Sequence, residues 1–590
     1  MAKWLLTTKK ADFNGIGERF HIHPVTARLI RNRDIIEEED IRFYLNGSIK
    51  DLHHPRLLKD AEKMIQILQK KIAQKKSIRV IGDYDIDGVM ATYILVTGLR
   101  RCGAQVTTQI PDRVHDGYGL NRQLIEAAKA DDIDTILTCD NGIAAIDEIA
   151  FAKELGMTVL VTDHHAIPYE EIDGECVFKS SAADAIVNPH QEDCTYPFKE
   201  LCGAAVAWKV ICILYETYDI PKEEAEDLLE NVAFATIGDV MSLKGENRIL
   251  VKEGLKRIHQ TKNVGMKALI AQCGLEPNQV NAGRIGFRLG PCINASGRLD
   301  TAKRSLELFF QTDMEKAAII ANELVVLNDE RKALTEAGVE AAISYYENEN
   351  CKDDKVVVIY LPEVHESIAG IIAGRIRERY YKPTFILTNG EDGNVKGSGR
   401  SIEEYSMYEE MCKCQELFSK FGGHPMAAGL SLPFENLELF RKKINEVCTL
   451  SEEDLTEKIR IDVAMPIDYA YPELIREFSI LEPFGKGNTR PVFADKGIRI
   501  KRMWSIGKNN DTLKFEFITK NDAHVYGILF RVKDMFLQHL EEKFGKKEIE
   551  AAFLGKPNTI ELSIIYNPEI NTYRDVDTIQ IIVEHYQVSV

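Results

Sequence analysis

The apolar positions Leu57, Leu58, Ala61, Met64, Ile65 and Leu68 recur at three- and four-residue spacing and predict a helix between Leu52 and Lys76. The period then changes. Ser77–Ile81 is a β-rich run, and after it extended and helical patterns alternate. Gln105–Ile110, Thr135–Thr138 and Thr158–Val161 read as strands, Gln123–Lys129 and Ile143–Leu155 as helices. Alternation at this pitch predicts a parallel sheet flanked by helices, with ligands gathered beyond the carboxyl ends of its strands. Met314–Tyr346 is one long amphipathic stretch, ~50 Å long if wholly helical. From about Ile459 the runs are short and β-rich: Arg499–Trp504, Thr512–Ile518, Val525–Phe530, Glu550–Leu554 and Ile560–Tyr566. Five such strands suit an OB-type barrel, with a helix over Asp534–Lys547. Residues 1–50 read as short helices laid over a later domain.

The predicted strand ends carry the chemistry. Asp83, Asp85 and Asp87 alternate in Gly82-Asp-Tyr-Asp-Ile-Asp-Gly88, and on an extended backbone alternate residues share a side. Three carboxylates that close repel one another unless a cation compensates them, and hard divalent cations take oxygen ligands. Taken alone, this segment equally fits a solvated acidic turn. Asp140 directly follows a second predicted strand, and Asp163, His164 and His165 follow a third. Three strands ending in metal-competent groups outweigh the solvated-turn reading. Asp239 ends the apolar run Ala233–Ile237 and by itself fits a helix cap or a turn as well as a ligand. Imidazole beside carboxylates favours Mn²⁺ over a purely oxygen-seeking ion.

Composition narrows the class. At 590 residues the chain needs roughly three to five domains, and 45% hydrophobic with 28% charged residues is ordinary for a globular protein. A net charge of −18 argues mildly against unselective nucleic-acid binding but leaves room for a local basic channel. The 12 cysteines include no CxxC pair, as expected of unpaired thiols in a reducing cytoplasm. No apolar run approaches a membrane span, and the first ten residues do not make a secretory signal.

Gly-Asp-Tyr-Asp-Ile-Asp-Gly, Cys139-Asp-Asn-Gly142, Asp163-His164-His165 and Thr236-Ile-Gly-Asp-Val240 occur in the order of the DHH phosphoesterase superfamily, and the chain resembles its RecJ family nearly end to end. Further likenesses are Asn294-Ala-Ser-Gly-Arg298, the long helix, Val356–Leu430 with its Phe421-Gly-Gly-His-Pro-Met-Ala-Ala-Gly429, and Leu481-Glu-Pro-Phe-Gly-Lys-Gly-Asn488. The resemblance implies an α/β, multidomain enzyme: a helical region 1–50, a parallel-sheet DHH domain 51–243, a connecting helical region 244–348, an α/β DHHA1 domain 349–455 and an OB-type domain 456–590. The implied activity is two-metal, 5′→3′ hydrolysis of single-stranded DNA with Mn²⁺ or Mg²⁺ as cofactor. A nanoRNase-like hydrolase and a non-catalytic DNA-binding scaffold are the alternatives.

By the same carry-over Asp85 ligates one metal, Asp87, His164 and Asp239 the other, and Asp140 bridges them, with Asp83 adding a ligand or holding one. His165 meets the scissile phosphate and Asp163 orients a histidine. Arg113 and Arg298 bind phosphate, and Ser398, Arg400, Ser401, Gly422, Gly423 and His424 contribute further substrate contacts. Ser367 stands where the family usually has glycine. Implied partners are single-stranded DNA, a RecQ-type helicase and a single-strand-binding protein, with the enzyme a monomer in the cytoplasm. In the tail, Trp504, Phe515, Phe517 and Tyr526 interleave with Lys501, Arg502, Lys508 and Lys514, a mixture of core and stacking positions.

Overall fold

Five strands form a wholly parallel sheet in the order Gln105–Gln109, Ser77–Ile81, Thr135–Cys139, Thr158–Thr162, Ala185–Val187. All described residues of the three central strands are apolar or threonine except Arg79 and Ser77, as befits strands covered on both faces. Strand order reverses between Ser77–Ile81 and Thr135–Cys139, and such a switch point opens a crevice at the carboxyl ends. The computed structural model describes residues 2–112, 119–172, 175–348, 351–390, 393–507, 510–573 and 576–588. Arg113 and Lys508, both singled out from sequence, lie outside the described residues.

The chain divides into two units, 48–457 and 1–47 with 458–590. In the first, the helices Ile86–Arg101 and Gly203–Thr217 pack together, with Gly98 leaving room for Ile211. A second sheet runs Lys420–His424, Ala427–Leu432, Val395–Arg400, Thr384–Asn389, Val357–Tyr360; only the last pair is parallel. The helix Met314–Asn348 links the two sheets' cores. Ala317, Ile320, Ala321 and Leu324 enter the core of the parallel sheet, while Ala342 and Tyr346 enter that of the mixed sheet.

Two glycine-rich segments that carry expected substrate contacts are strands. Lys396-Gly-Ser-Gly-Arg400 is central in the mixed sheet, where alternation puts Gly397 and Gly399 against Leu387, Phe385 and Met407. Any larger side chain there would strike the core. Gly422-Gly423-His424 is the end of an edge strand, with Gly423 at φ 155°.

In the other unit, strand Lys3–Leu6 pairs in parallel with Lys458–Ile461. Leu29, Ile30, Ile41 and Tyr44 join Phe493, Phe515, Phe517, Phe536 and Tyr566 in one core. The OB-like sheet runs Val463–Ala464, Phe493–Ile506, Thr512–Ile518, His524–Leu529, Val576–Val588, Glu561–Tyr573, and Glu561–Tyr573 pairs back onto Phe493–Ile506. Glu550–Leu554, expected as a strand, lies in the helix Lys546–Leu554; Glu-Ala-Ala-Phe-Leu is helix-forming material. Phe515 and Phe517 are core, whereas Trp504 sits beside Arg502 and half-exposed Tyr526 beside Lys514.

Candidate metal centre

The strand Ser77–Ile81 stops before the first carboxylate, so Asp83, Asp85 and Asp87 do not converge by strand alternation. A turn brings them together instead. Asp85 caps the helix Ile86–Arg101, accepting hydrogen bonds from the N–H groups of Asp87 (2.8 Å) and Gly88 (3.1 Å). Asp87, in the first turn of that helix, is fully buried and accepts from the N–H groups of Gly203 (2.6 Å) and Ala204 (2.7 Å), which open the next large helix. Two helix N-termini thus face one acidic cluster, the favourable end for negative charge. The N–H of Ile86 is taken by the Asn294 side chain (2.9 Å), fixing the turn from a third direction.

Asp140 follows Cys139 at the next strand end with φ 60°, a left-handed conformation that aspartate tolerates better than most residues. Gly203 makes room for it, since a Cβ there would lie 2.7 Å from Asp140 Cβ. His164 Nε2 stands 3.1 Å from Asp140 Oδ1, 3.6 Å from Asp87 Oδ2 and 3.9 Å from Asp239 Oδ2. Asp239 is at the carboxyl end of the helix Leu229–Gly238, so its position comes from a helix terminus rather than a strand.

Among the described residues three groups of donor atoms, each within 4.8 Å, result: Asp83, Asp85 and Asp140; Asp87, His164 and Asp239; and Asp140, His164 and His165. Asp140 belongs to two of them. Burial, then the charges of Asp87, Asp85, Asp83 and Asp239, push Asp140 well above the usual carboxylate range. Burial and Asp87 likewise raise Asp85, while burial lowers His164. Neutral imidazole and carboxylates that resist ionisation without a cation are a donor set that fits divalent metal.

Asp163 is fully buried and accepts from the N–H groups of Ile143, His164 and His165 as well as bonding His165 Nδ1 at 2.8 Å. Burial opposes its ionisation, but the bond and charge of His165 win and hold Asp163 low. The converse holds at His165: burial pulls it down, Asp163 pulls it up, and it rests at about 9. The His165 side chain remains 43% exposed beside its buried neighbour.

The residues expected to bind substrate fall into two sets. Lys396, Ser398 and Arg400 share the face of their strand opposite the glycines. Ser398 and Gly422 line a cavity of about 400 Å³ with Glu366, Ser367, Lys396, Lys420 and Ser431. Arg298 does not line the cavity itself, but its Nη1 donates at 2.6 Å to the carbonyl of Ser367, which does. Arg400 lies over Gly370, where a Cβ would come within 2.7 Å of Nη2. Gly423 and His424 are exposed beyond the cavity. Ser401 is a correction: it is buried, and its Oγ donates to the Tyr405 carbonyl at 2.6 Å, so it has no hydroxyl to offer a ligand. Ser367 is also buried, its Oγ 2.7 Å from His365 Nδ1. Sequence reasoning missed Gly203 and Lys420, and it marked Asn294 only as part of Asn294-Ala-Ser-Gly-Arg298, without its bond to Ile86. Nothing local marks Gly203, whereas Lys420 opens the edge strand that runs into Gly-Gly-His.

Comparison with known proteins agrees with this geometry. The DHH family, N-terminal domain, matches residues 77–236, the DHHA1 domain 353–450 and the RecJ OB domain 461–585. The single-stranded-DNA-specific exonuclease RecJ of Bacillus subtilis is 34% identical over 516 residues, which is 87% of this chain but only 64% of that protein. The Escherichia coli protein of the same name is 30% identical over 587 residues, 95% of each chain. The crystal structure of Thermus thermophilus RecJ with Mn²⁺ superposes with a TM-score of 0.80 at 26% identity, covering 100% of this chain and 80% of that one. Its complex with Mg²⁺ gives 0.75. With three domains matched in this order and one relative aligned along nearly its whole length, the chain belongs to the RecJ family of single-stranded-DNA-specific exonucleases.

Proposed function

We propose that the protein removes nucleotides from the 5′ end of single-stranded DNA by metal-dependent phosphodiester hydrolysis. The observation that carries this reading is the pair of three-donor groups, Asp83/Asp85/Asp140 and Asp87/His164/Asp239, abutting at the switch point of the parallel sheet. Mn²⁺ or Mg²⁺ held there would supply Lewis-acid polarisation of the phosphate and an activated water. The chain's own residues do the rest. Asp140, in the first group, stands 3.1 Å from His164 Nε2 of the second, Asp87 is fixed by two helix N–H groups, and Asp163 orients His165 toward the exposed side of the cluster. Arg298 supplies a cation for the phosphate oxygens, and arginine matches phosphate in a bidentate fork. Ser398, Lys420 and Lys396, the last paired with Glu366 at 2.8 Å, would offer a phosphate donors in the adjoining cavity. The full donor set weighs against a non-catalytic scaffold, and the OB-like unit against a small-phosphodiester hydrolase.

On this reading the working partners are a helicase of the RecQ type, which would supply single strands, and a single-strand-binding protein, all in the cytoplasm. The test is digestion of 5′- and 3′-labelled DNA and RNA strands, and of blunt duplex, with Mn²⁺ or Mg²⁺. Mononucleotides should leave the 5′ end of the DNA strand first. Release from the 3′ end, or equal rates on blunt duplex, would overturn the proposal.

A further inference from the structure

Phe287 is the most exposed large apolar side chain among the described residues, at 88%. Its placement follows from Pro291. In a regular helix residue 291 would donate to the carbonyl of Phe287; proline has no N–H to give, and its ring would press on that carbonyl. The chain widens instead. Ile285–Leu289 is a π-helical turn closed by the Gly290 N–H on the Ile285 carbonyl, set between the helical segments Ala282–Arg284 and Gly290–Leu299. Ile285 and Leu289 fill the core, and Phe287 is turned out of it.

The π turn and Gly290, which follows it, pack against residues that neighbour metal donors. A Cβ on Gly286 would lie 3.8 Å from Ile237, two residues before Asp239. A Cβ on Gly290 would lie 3.3 Å from Ile86, between Asp85 and Asp87. Val240, next to Asp239, is 60% exposed and held at φ 55°, which is rare for a β-branched residue. A single exposed phenylalanine normally needs no explanation. This one stands on a widened turn packed against two donor segments, with a second exposed apolar residue on one of them. π turns of this kind recur at functional sites.

We propose that Phe287 is a nucleobase-stacking subsite on the rim of the carboxylate cluster, taking one base of the single strand whose phosphodiester lies among the metal donors. This rests on the hydrolase reading above and adds to it the residue that would set the strand's register. A phenyl face stacks on any base, so such a subsite would favour unpaired nucleotides without reading their sequence. In a duplex the base faces are already covered by their neighbours.

The test uses the full-length protein with Mn²⁺, as wild type, Phe287→Ala and Phe287→Trp. The substrates are a 5′-labelled oligothymidylate and the same strand with one abasic residue stepped inward from the 5′ end. Phe287→Ala should lose roughly five- to 150-fold in kcat/KM, mostly through KM, and Phe287→Trp should restore it. In wild type the abasic penalty should peak at one position, and in Phe287→Ala that peak should vanish. Equal penalties at all positions in both proteins would overturn the subsite. So would wild-type kinetics of Phe287→Ala. If wild type cleaves neither strand, the hydrolase reading itself falls; if it cleaves both and the variants match it, only the subsite falls.

Discussion

Asp163 Oδ1 lies 2.8 Å from His165 Nδ1, and the same buried carboxylate accepts three backbone N–H groups around it. It therefore favours the protonated imidazole, orients the His165 ring and fixes the path of the chain through the two histidines. Asp163→Asn keeps an acceptor for the backbone but loses the charge. Activity should fall about 10- to 100-fold with substrate affinity little changed. The double variant with His165→Ala should be no slower than His165→Ala alone. Additive losses would mean that Asp163 acts elsewhere.

Gly203 carries a second prediction. Its N–H holds Asp87 while its missing Cβ admits Asp140. Gly203→Ala should force the two carboxylates apart, costing about 1–3 kcal/mol by overpacking and lowering Mn²⁺ affinity more than stability alone explains. Metal titration by calorimetry reads the affinity and thermal unfolding the stability. Unchanged Mn²⁺ affinity would show that Asp140 has room to shift.

Replacing Asp140 should have opposite effects on stability and activity. The metal-free cluster holds like charges whose repulsion, with burial, resists ionisation of Asp140. Asp140→Asn should thus unfold at a higher temperature than wild type in EDTA. Mn²⁺ should stabilise wild type strongly and the variant weakly, by mass action, and the variant should not hydrolyse DNA. An Asp140→Asn protein with full turnover would remove the shared ligand from the scheme.

A fourth prediction concerns pH away from the site. Burial raises Glu230 from 4.5 to about 7, only partly offset by its bond to Thr261. A carboxyl raised in the folded state favours folding while protonated. Its contribution is full below about 4.5, and fades as pH climbs through about 7. Glu230→Gln should therefore raise the melting temperature at pH 8 and change it little at pH 5. The same shift at both pH values would point to packing rather than ionisation.

The donors were legible because a parallel sheet delivers its strand ends to one edge, and Asp140 and the pair Asp163-His164 each follow a strand directly. The route taken by Asp85 and Asp87 was not, because a four-residue turn into a helix and an extended strand both satisfy the alternation of acids. Gly203 and Asn294 act on residues 63 to 208 positions away, beyond any local pattern. Ser401 looked like a phosphate donor beside Arg400. It is the first residue beyond the strand Val395–Arg400, and its backbone N–H donates to the Met426 carbonyl while its hydroxyl serves Tyr405. The strand Val576–Val588 escapes the sequence reading because the apolar run Ile581-Ile582-Val583 breaks the alternation with polar residues, whereas reading Glu550–Leu554 as a strand goes against its own alanines.

The last prediction comes from the N-terminal segment. Leu29, Ile30, Ile41 and Tyr44 are buried in the core built by residues 463–583, and the strand Lys3–Leu6 has its partner at Lys458–Ile461. Removing only residues 458–590 strips those side chains of their cover and leaves the strand unpaired. Each large aliphatic side chain so exposed forfeits about 1.5–3 kcal/mol of burial, and the bared edge invites association. A 1–457 protein should therefore aggregate or unfold early. The fragment 48–457, which removes the unit at both ends, should stay monomeric and keep every metal donor. It should hydrolyse short oligonucleotides at near the full-length rate and lose affinity for long strands, since Trp504 with Arg502 and Tyr526 with Lys514 leave with the deleted unit. Light scattering and thermal unfolding of the two truncations decide the structural half, and binding to strands of increasing length the functional half. If 1–457 proved as stable and monomeric as 48–457, the N-terminal segment would not depend on the C-terminal core. If 48–457 bound long strands as tightly as the whole chain, the OB-like unit would have no part in holding them.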